Sequence, residues 1–123
     1  MKTTKRQLLG LAAGALALGL TAGIGAAGAA EVTKIAVMVP EQGTDFGWNQ
    51  QGGDAARIVA ERFGLEFVPA EGLGYGDVRP TLRELADEGA SLIIAHASGY
   101  NTAAPEIAVE KNVPVAIVDA PGS

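Results

Sequence analysis

Two short segments of the chain combine polar and aromatic side chains suited to binding a small molecule. The first, residues 45–49, places a carboxylate (Asp45), an indole (Trp48) and a carboxamide (Asn49) within five positions. The indole offers a flat apolar surface for a base or a sugar ring, and the other two groups can form hydrogen bonds with its substituents. A structural interpretation is equally open, with Asp45 or Asn49 capping a following helix and Trp48 covering the end of a sheet.

His96 begins the second segment, residues 96–100, and is the only histidine of the chain. A lone histidine at the end of a strand is more often a hydrogen-bonded structural residue than a ligand contact. Because the chain has no cysteine and no second histidine, we expect no zinc site. Ser98 follows two residues later, but no third group has an orienting role and the GxSxG pattern is absent. We therefore expect no catalytic residues.

The end of the second segment, Ser98, Gly99 and Tyr100, precedes a predicted helix. Backbone N–H groups at a helix N-terminus attract anions and hydroxyl oxygens, so these three residues are candidate ligand contacts. Simple capping of that helix by Asn101 or Thr102 is the alternative.

Four apolar runs alternate with amphipathic segments, which predicts a βαβαβαβ order. The predicted strands cover residues 34–39, 65–69, 91–95 and 115–118. The first predicted helix covers residues 48–63, the second runs from a cap at Asp77 to Gly89, and the third ends at Asn112. Strands that are apolar throughout indicate a parallel sheet, for which we predict the strand order 2-1-3-4. The loops after strands 1 and 3 then meet at the edge where such sheets bind ligands. Asp119 ends strand 4 at the same edge, where it either binds a ligand hydroxyl or caps a turn.

The first 30 residues have the layout of a secretory signal peptide. Lys2, Lys5 and Arg6 precede a charge-free stretch of Leu, Ala and Gly that ends in small residues. An uncleaved membrane anchor is the alternative. We therefore assign residues 1–30 to a signal peptide and residues 31–123 to one α/β lobe. We expect a periplasmic or extracellular protein that stays tethered to the membrane if the signal is not cleaved.

The rest of the chain is acidic. The leader holds three of the nine Lys and Arg residues and none of the fourteen Asp and Glu residues, which leaves six basic against fourteen acidic residues. This balance argues against a nucleic-acid partner, because phosphate binding needs clustered positive charge. The last predicted strand is apolar and would leave a bare sheet edge, which natural proteins avoid. We therefore expect residues 31–123 to be an incomplete lobe.

The stretch KIAVMVPEQGTDFGWNQQGG resembles the basic membrane protein family, the purine-nucleoside-receptor-like solute-binding proteins of ABC importers. The most specific part is the motif Asp45-x-Gly47-Trp48-Asn49 with a glycine a few residues later. The stretch GASLIIAHASGYNTAAPEIA is similar to the family's next strand, ligand loop and helix. The resemblance implies a type I periplasmic-binding-protein fold, in which two α/β lobes close on a ligand. That ligand is commonly a nucleoside with an aromatic residue stacked on its base.

By position, Asp45, Trp48 and Asn49 match the family's first ligand loop, and residues 96–100 match the second. Two departures are evident: bacterial members are often lipoproteins, whereas this chain has no cysteine, and the family needs a second lobe that 123 residues cannot hold. The resemblance implies an exported solute-binding protein without a cofactor. It would bind a nucleoside in an interlobe cleft and deliver it to an ABC permease. A sensory ligand-binding module is the alternative, and a small exported enzyme using His96 or Ser98 is a weaker one.

Overall fold

The computed structural model describes residues 30–119. The predicted signal peptide, apart from Ala30, lies outside these residues, as do residues 120–123. The elements are β1 (Lys34–Met38), α1 (Trp48–Phe63), β2 (Glu66–Ala70), α2 (Arg79–Asp87), β3 (Leu92–Ala95), a short 3-10 turn (Ser98–Tyr100), α3 (Ala103–Lys111) and β4 (Val115–Ile117). None of the described helices combines the length and the apolar character needed to cross a bilayer.

The four strands form one parallel sheet in the order β2-β1-β3-β4, as predicted. β1 is an inner strand, in which Ile35 pairs with Phe67 on one side and with Leu92 on the other. The chain winds from β1 outward to β2 and then crosses back to β3. This reversal opens a crevice between the carboxyl ends of β1 and β3.

The helices divide between the two faces of the sheet. α2 and α3 cover one face, where Met38, Leu82 and Ile107 are fully buried in the larger core. α1 covers the other face and packs Ala56 and Ala60 against the apolar residues of β1. Apolar burial on both sides of β1 explains why that strand has no polar residue after Lys34.

α1 has the predicted bounds, but its buried stripe is narrower than predicted. Gly52, Ala56 and Ala60 are buried, whereas Val59 is 44% exposed and Phe63 is 68% exposed. The helical period predicts one shared apolar face for all five residues, but only three of them are buried. α1 lies over β1 and β2, and no described helix covers β3 and β4 on the same face.

An apolar groove therefore runs beside α1. Its volume is about 320 Å³, and its lining includes Val59 from the helix and Leu92, Ile94 and Val118 from the sheet. The helical period correctly placed Val59 on the sheet side of α1, but the surface that would bury it is absent from residues 30–119.

The helix caps also differ in detail from the prediction. Asp77 lies one position before the N-cap of α2, which is Val78, although its Oδ1 accepts the N–H of Arg79 at 3.1 Å. Thr102 occupies the N-cap of α3 but makes no capping hydrogen bond; its hydroxyl donates to Asn101 Oδ1 at 3.4 Å. The alternative of side-chain capping of α3 by Asn101 or Thr102 is therefore not realised, although Thr102 occupies the N-cap position.

Candidate functional site

The carboxyl ends of β1 and β3 bring the two predicted ligand segments together. The loop after β1, residues 40–47, leads into α1, whose first residue is Trp48. His96 directly follows β3, and its N–H donates to the carbonyl of Met38 at 3.0 Å. This bond continues the parallel pairing by one residue and sets His96 beside the start of α1.

Trp48 and His96 form a stacked and doubly hydrogen-bonded pair. Trp48 Nε1 donates to the carbonyl of His96 at 3.2 Å, and His96 Nε2 lies 3.0 Å from the carbonyl of Trp48. Because a carbonyl only accepts hydrogen bonds, Nε2 carries the imidazole proton. The ring centroids are 4.3 Å apart with an interplanar angle of 23°. His96 is buried, whereas Trp48 keeps 44% of its surface exposed.

Gly52 completes this arrangement from the second turn of α1. A Cβ atom at this position would lie 2.5 Å from His96 Cδ2 and 2.7 Å from His96 Nε2. A side chain there would displace the imidazole from Trp48. This contact gives a physical reason for a glycine a few residues after the Trp48-Asn49 pair.

Asp45 caps the N-terminus of α1. Its Oδ1 accepts the N–H groups of Gly47 at 3.0 Å and Gln50 at 2.9 Å, and its Oδ2 accepts the N–H of Asn49 at 3.1 Å and Asn49 Nδ2 at 2.7 Å. Hydrogen bonds to the charged form, led by that from the Asn49 side chain, hold the pKa of Asp45 well below its ordinary range. The carboxylate thus satisfies donors that a helix N-terminus leaves free.

Asn49 is buried and ties the loop to the helix. Its amide group donates to Asp45, and its Oδ1 accepts the N–H of Glu41 at 3.3 Å. Of the two residues considered as caps of α1, Asp45 therefore makes the capping hydrogen bonds, whereas Asn49 is the second residue of the helix and supports the cap. Any ligand contact of Asp45 or Asn49 adds to that role.

The second segment divides into exposed and buried parts. Ser98 and Gly99 are exposed in the 3-10 turn, whereas Tyr100 is fully buried in the core. The Tyr100 hydroxyl donates to the carbonyl of Gly74 at 2.9 Å, and burial raises the pKa of Tyr100 to about 12. Its ring thus packs in the core, while Ser98 and Gly99 stay accessible at the sheet edge.

The loop between β2 and α2 supports both segments. Gly74 has φ 68°, donates its N–H to the carbonyl of Pro40 at 2.8 Å and accepts the Tyr100 hydroxyl. Tyr75 is 65% exposed and packs against Gly99, where an added Cβ would lie 3.0 Å from its ring. The positive φ at Gly74 favours a residue without a Cβ, and this glycine forms the turn that supports the site.

Asp119 lies at the same edge of the sheet as His96. It is exposed and adopts a left-handed conformation with φ 70°. The residue before it, Val118, donates its N–H to the carbonyl of Ala95 at 2.9 Å, which holds the end of β4 beside β3. Within residues 30–119, no group of three His, Asp or Glu side chains is placed to hold a metal ion.

An open cavity of about 480 Å³ adjoins Trp48 at the start of α1. Its lining consists of Phe46, Gly47, Trp48, Gln50, Gln51 and Asp54. Of these residues, only Trp48 was predicted from the sequence to be a ligand contact. Phe46 carried a signal that could have found it, since it is a large apolar residue in a polar and glycine-containing loop, outside the apolar stripe of the helix.

The same architecture occurs in an ABC transporter system solute-binding protein from Conexibacter woesei. The two structures agree with a TM-score of 0.60 at 21% sequence identity, over 68% of this chain and 28% of that one. The fold is periplasmic-binding-protein-like. The predicted fold class and strand order are thereby confirmed, and the chain spans 28% of the length of that protein. No protein-family model matches the chain, and no curated protein matches it.

Proposed function

We propose that the chain forms a ligand-binding lobe of an exported solute-binding protein that serves an ABC importer. The observation that carries the proposal is the Trp48–His96 pair, which leaves an exposed indole surface at the crevice between β1 and β3. Sheets with this winding reversal bind ligands at that position. The fold shared with the solute-binding protein from Conexibacter woesei supports the same class of function.

The proposed ligand is a small polar molecule with a flat ring, for which a nucleoside is the first candidate. The indole of Trp48 provides a stacking surface, and base–aromatic stacking contributes about 1–3 kcal/mol. Gln50, Gln51 and Asp54 line the adjacent cavity and offer hydrogen-bond donors and acceptors to ring substituents and hydroxyl groups. The acidic character of the chain disfavours an anionic ligand, so an uncharged nucleoside fits better than a nucleotide.

The predicted contact residues divide by role in this proposal. Trp48 stacks on the ligand ring, and His96 holds Trp48 in place. Ser98, Gly99 and Asp119 are exposed at the same edge and supply polar contacts. Asp45, Asn49 and Tyr100 fix the loops that carry the other residues.

In this proposal the ligand lies between the described lobe and a second lobe. Two lobes close about a hinge on the ligand, and the free energy of binding comes from stacking and convergent hydrogen bonds. No covalent bond is made or broken. The closed form is then the one that a membrane permease recognises.

A thermal-shift screen of nucleosides, nucleobases and sugars tests the proposal. A true ligand raises the melting temperature by an amount that grows with the logarithm of its concentration. Trp48→Ala is expected to weaken binding by about 1–3 kcal/mol, while Phe63→Ala, which alters an exposed ring at the far end of α1, leaves it unchanged. If no nucleoside raises the melting temperature, nucleosides are excluded as the ligand class. Equal affinity in Trp48→Ala and wild type would exclude the stacking role of Trp48.

The genomic neighbourhood separates the importer from a sensory module. Genes for a permease and an ATPase beside this one support import, whereas an adjacent receptor gene supports sensing.

A further inference from the structure

Phe46 is the most exposed large apolar side chain in residues 30–119, with 93% of its surface accessible. It stands two residues before Trp48, in the loop that leads into α1. A ring this exposed contributes almost no apolar burial to folding. The stability of the fold therefore does not account for a phenylalanine at this position.

The backbone of Phe46 is held in a conformation that disfavours a large side chain. Its φ is 55°, in the left-handed region, where a bulky residue is an outlier and glycine or asparagine is preferred. The conformation is fixed from both sides: the Phe46 N–H donates to Gln50 Oε1 at 3.0 Å, and the next N–H, that of Gly47, donates to Asp45 Oδ1 at 3.0 Å. The loop thus presents the phenyl ring to solvent in a fixed, strained conformation. Such strain is concentrated at ligand sites.

The ring of Phe46 lines the same cavity of about 480 Å³ as Trp48. Gln50, Gln51 and Asp54 complete most of the lining from successive turns of α1. A concave site with aromatic surfaces and a few polar groups is the usual composition of a small-molecule pocket. Phe46 and Trp48 are the two apolar members of this lining.

We infer that Phe46 is a second aromatic contact of the ligand site. It packs on the ring of a ligand that stacks on Trp48 and shields that ring from water. The inference rests on the proposed function, because it adds a contact to the same site. It also narrows the class of ligand, because a molecule that contacts two aromatic side chains needs a flat apolar ring and not only hydroxyl groups.

The test measures binding of adenosine, inosine, uridine, adenine and ribose to the full-length protein, with both lobes present, by quenching of Trp48 fluorescence. Trp48 is the only tryptophan of the 123 residues, and the part of the signal that is lost in Trp48→Phe comes from this site. Phe46→Asn removes the ring but tolerates the left-handed backbone, and Phe46→Tyr keeps the ring. We expect Phe46→Asn to weaken nucleoside binding by at least about fivefold and Phe46→Tyr to stay within about twofold of wild type. Phe63→Ala, a matched change of another exposed phenylalanine, is expected to bind as wild type does.

Stability measurements on the same variants separate ligand contact from folding. Because Phe46→Asn relieves the backbone strain, its melting temperature is expected to equal or exceed that of wild type. Weaker binding together with an undiminished melting temperature supports the inference. Equal affinity in Phe46→Asn and wild type overturns the inference and leaves the proposed function standing. If no compound of the panel binds the wild-type chain, the proposed function fails and this inference fails with it.

Discussion

Trp48 and His96 hold each other through two hydrogen bonds and a stacked ring contact, although they lie 48 positions apart in the chain. Each residue offers its backbone carbonyl to the side chain of the other. The pair therefore joins the first turn of α1 to the residue that follows β3. It fixes the width of the crevice between the carboxyl ends of β1 and β3, and it leaves the indole partly exposed there.

Removal of the imidazole is expected to expose Trp48 and to destabilise the fold. His96→Ala deletes the ring that covers one indole face and removes the hydrogen bond from His96 Nε2 to the Trp48 carbonyl, which together we expect to cost about 1–3 kcal/mol of unfolding free energy. The emission of the single tryptophan is expected to move to longer wavelength, with stronger quenching by acrylamide. His96→Phe keeps a flat ring and serves as the control, with emission close to that of wild type. Unchanged emission in His96→Ala would contradict the stacking.

Two adjacent glycines of α1 are expected to respond in opposite directions to alanine. Gly53 has open space where a Cβ would lie, so Gly53→Ala is expected to stabilise the helix by about 0.5–1 kcal/mol. At Gly52 the added methyl group meets the His96 imidazole, so Gly52→Ala is expected to destabilise the protein by about 1–3 kcal/mol. Urea unfolding of the two variants gives the comparison. A stabilising Gly52→Ala would show that the imidazole does not pack there.

Because Asp45 caps α1, the free energy of unfolding is expected to change with pH in the acid range. Its pKa is lowered in the folded state by hydrogen bonds, first that from the Asn49 side chain, whereas its ordinary value is 3.8. The folded protein therefore binds fewer protons than the unfolded chain, so the contribution is complete above about pH 5 and declines as the pH falls through the folded pKa. Asp45→Asn is expected to be less stable than wild type at pH 7 and to lose less stability between pH 5 and pH 3. Parallel curves of unfolding free energy against pH would disprove the capping role.

Because Tyr100 is buried, the free energy of unfolding is expected to change with pH in the alkaline range. Burial raises its pKa from 10.0 to about 12, so its contribution is complete below pH 10 and is lost as the pH rises towards 12. Tyr100→Phe removes the hydrogen bond to Gly74 and is expected to cost about 1 kcal/mol at pH 7. Its stability is also expected to fall less steeply than that of wild type above pH 10. Guanidinium unfolding at pH 7, 9 and 11 measures both effects, and an equal slope in the two proteins would argue against a buried, un-ionised phenol.

The sequence was sufficient to predict the sheet and the bounds of α1, because these depend on local signals. Continuous apolar runs indicate strands buried on both faces. A glycine directly after an amphipathic stretch indicates the end of a helix, and Gly64 ends α1 in the left-handed conformation with φ 68°. The winding rule for parallel strands then gave the strand order. The exposure of Val59 could not be predicted from the sequence, because a periodic stripe shows which side of a helix faces the sheet, but not whether another element covers it.

The site was harder to predict because the same residue types serve structure and binding. A carboxylate before a helix suits a cap and a ligand contact equally, and only the four hydrogen bonds to Asp45 identify the cap. Tyr100 points into the core because of tertiary packing around Gly74, which no local pattern encodes. Phe46 was not predicted from the sequence, although it is a large apolar residue in a polar loop, and its 93% exposure is evident only in the fold.

The central place of β1 also has a consequence for the order in which the chain assembles. Both of its neighbours arrive late in synthesis, since Ile35 pairs with Phe67 and with Leu92, and all three pairings in the sheet are parallel. No hairpin can therefore shield β1 early, and topologies dominated by such distant pairings fold slowly. A nascent chain displays the apolar residues of β1 on the ribosome until β3 has emerged. Chaperones that hold short apolar segments are expected to engage this strand first.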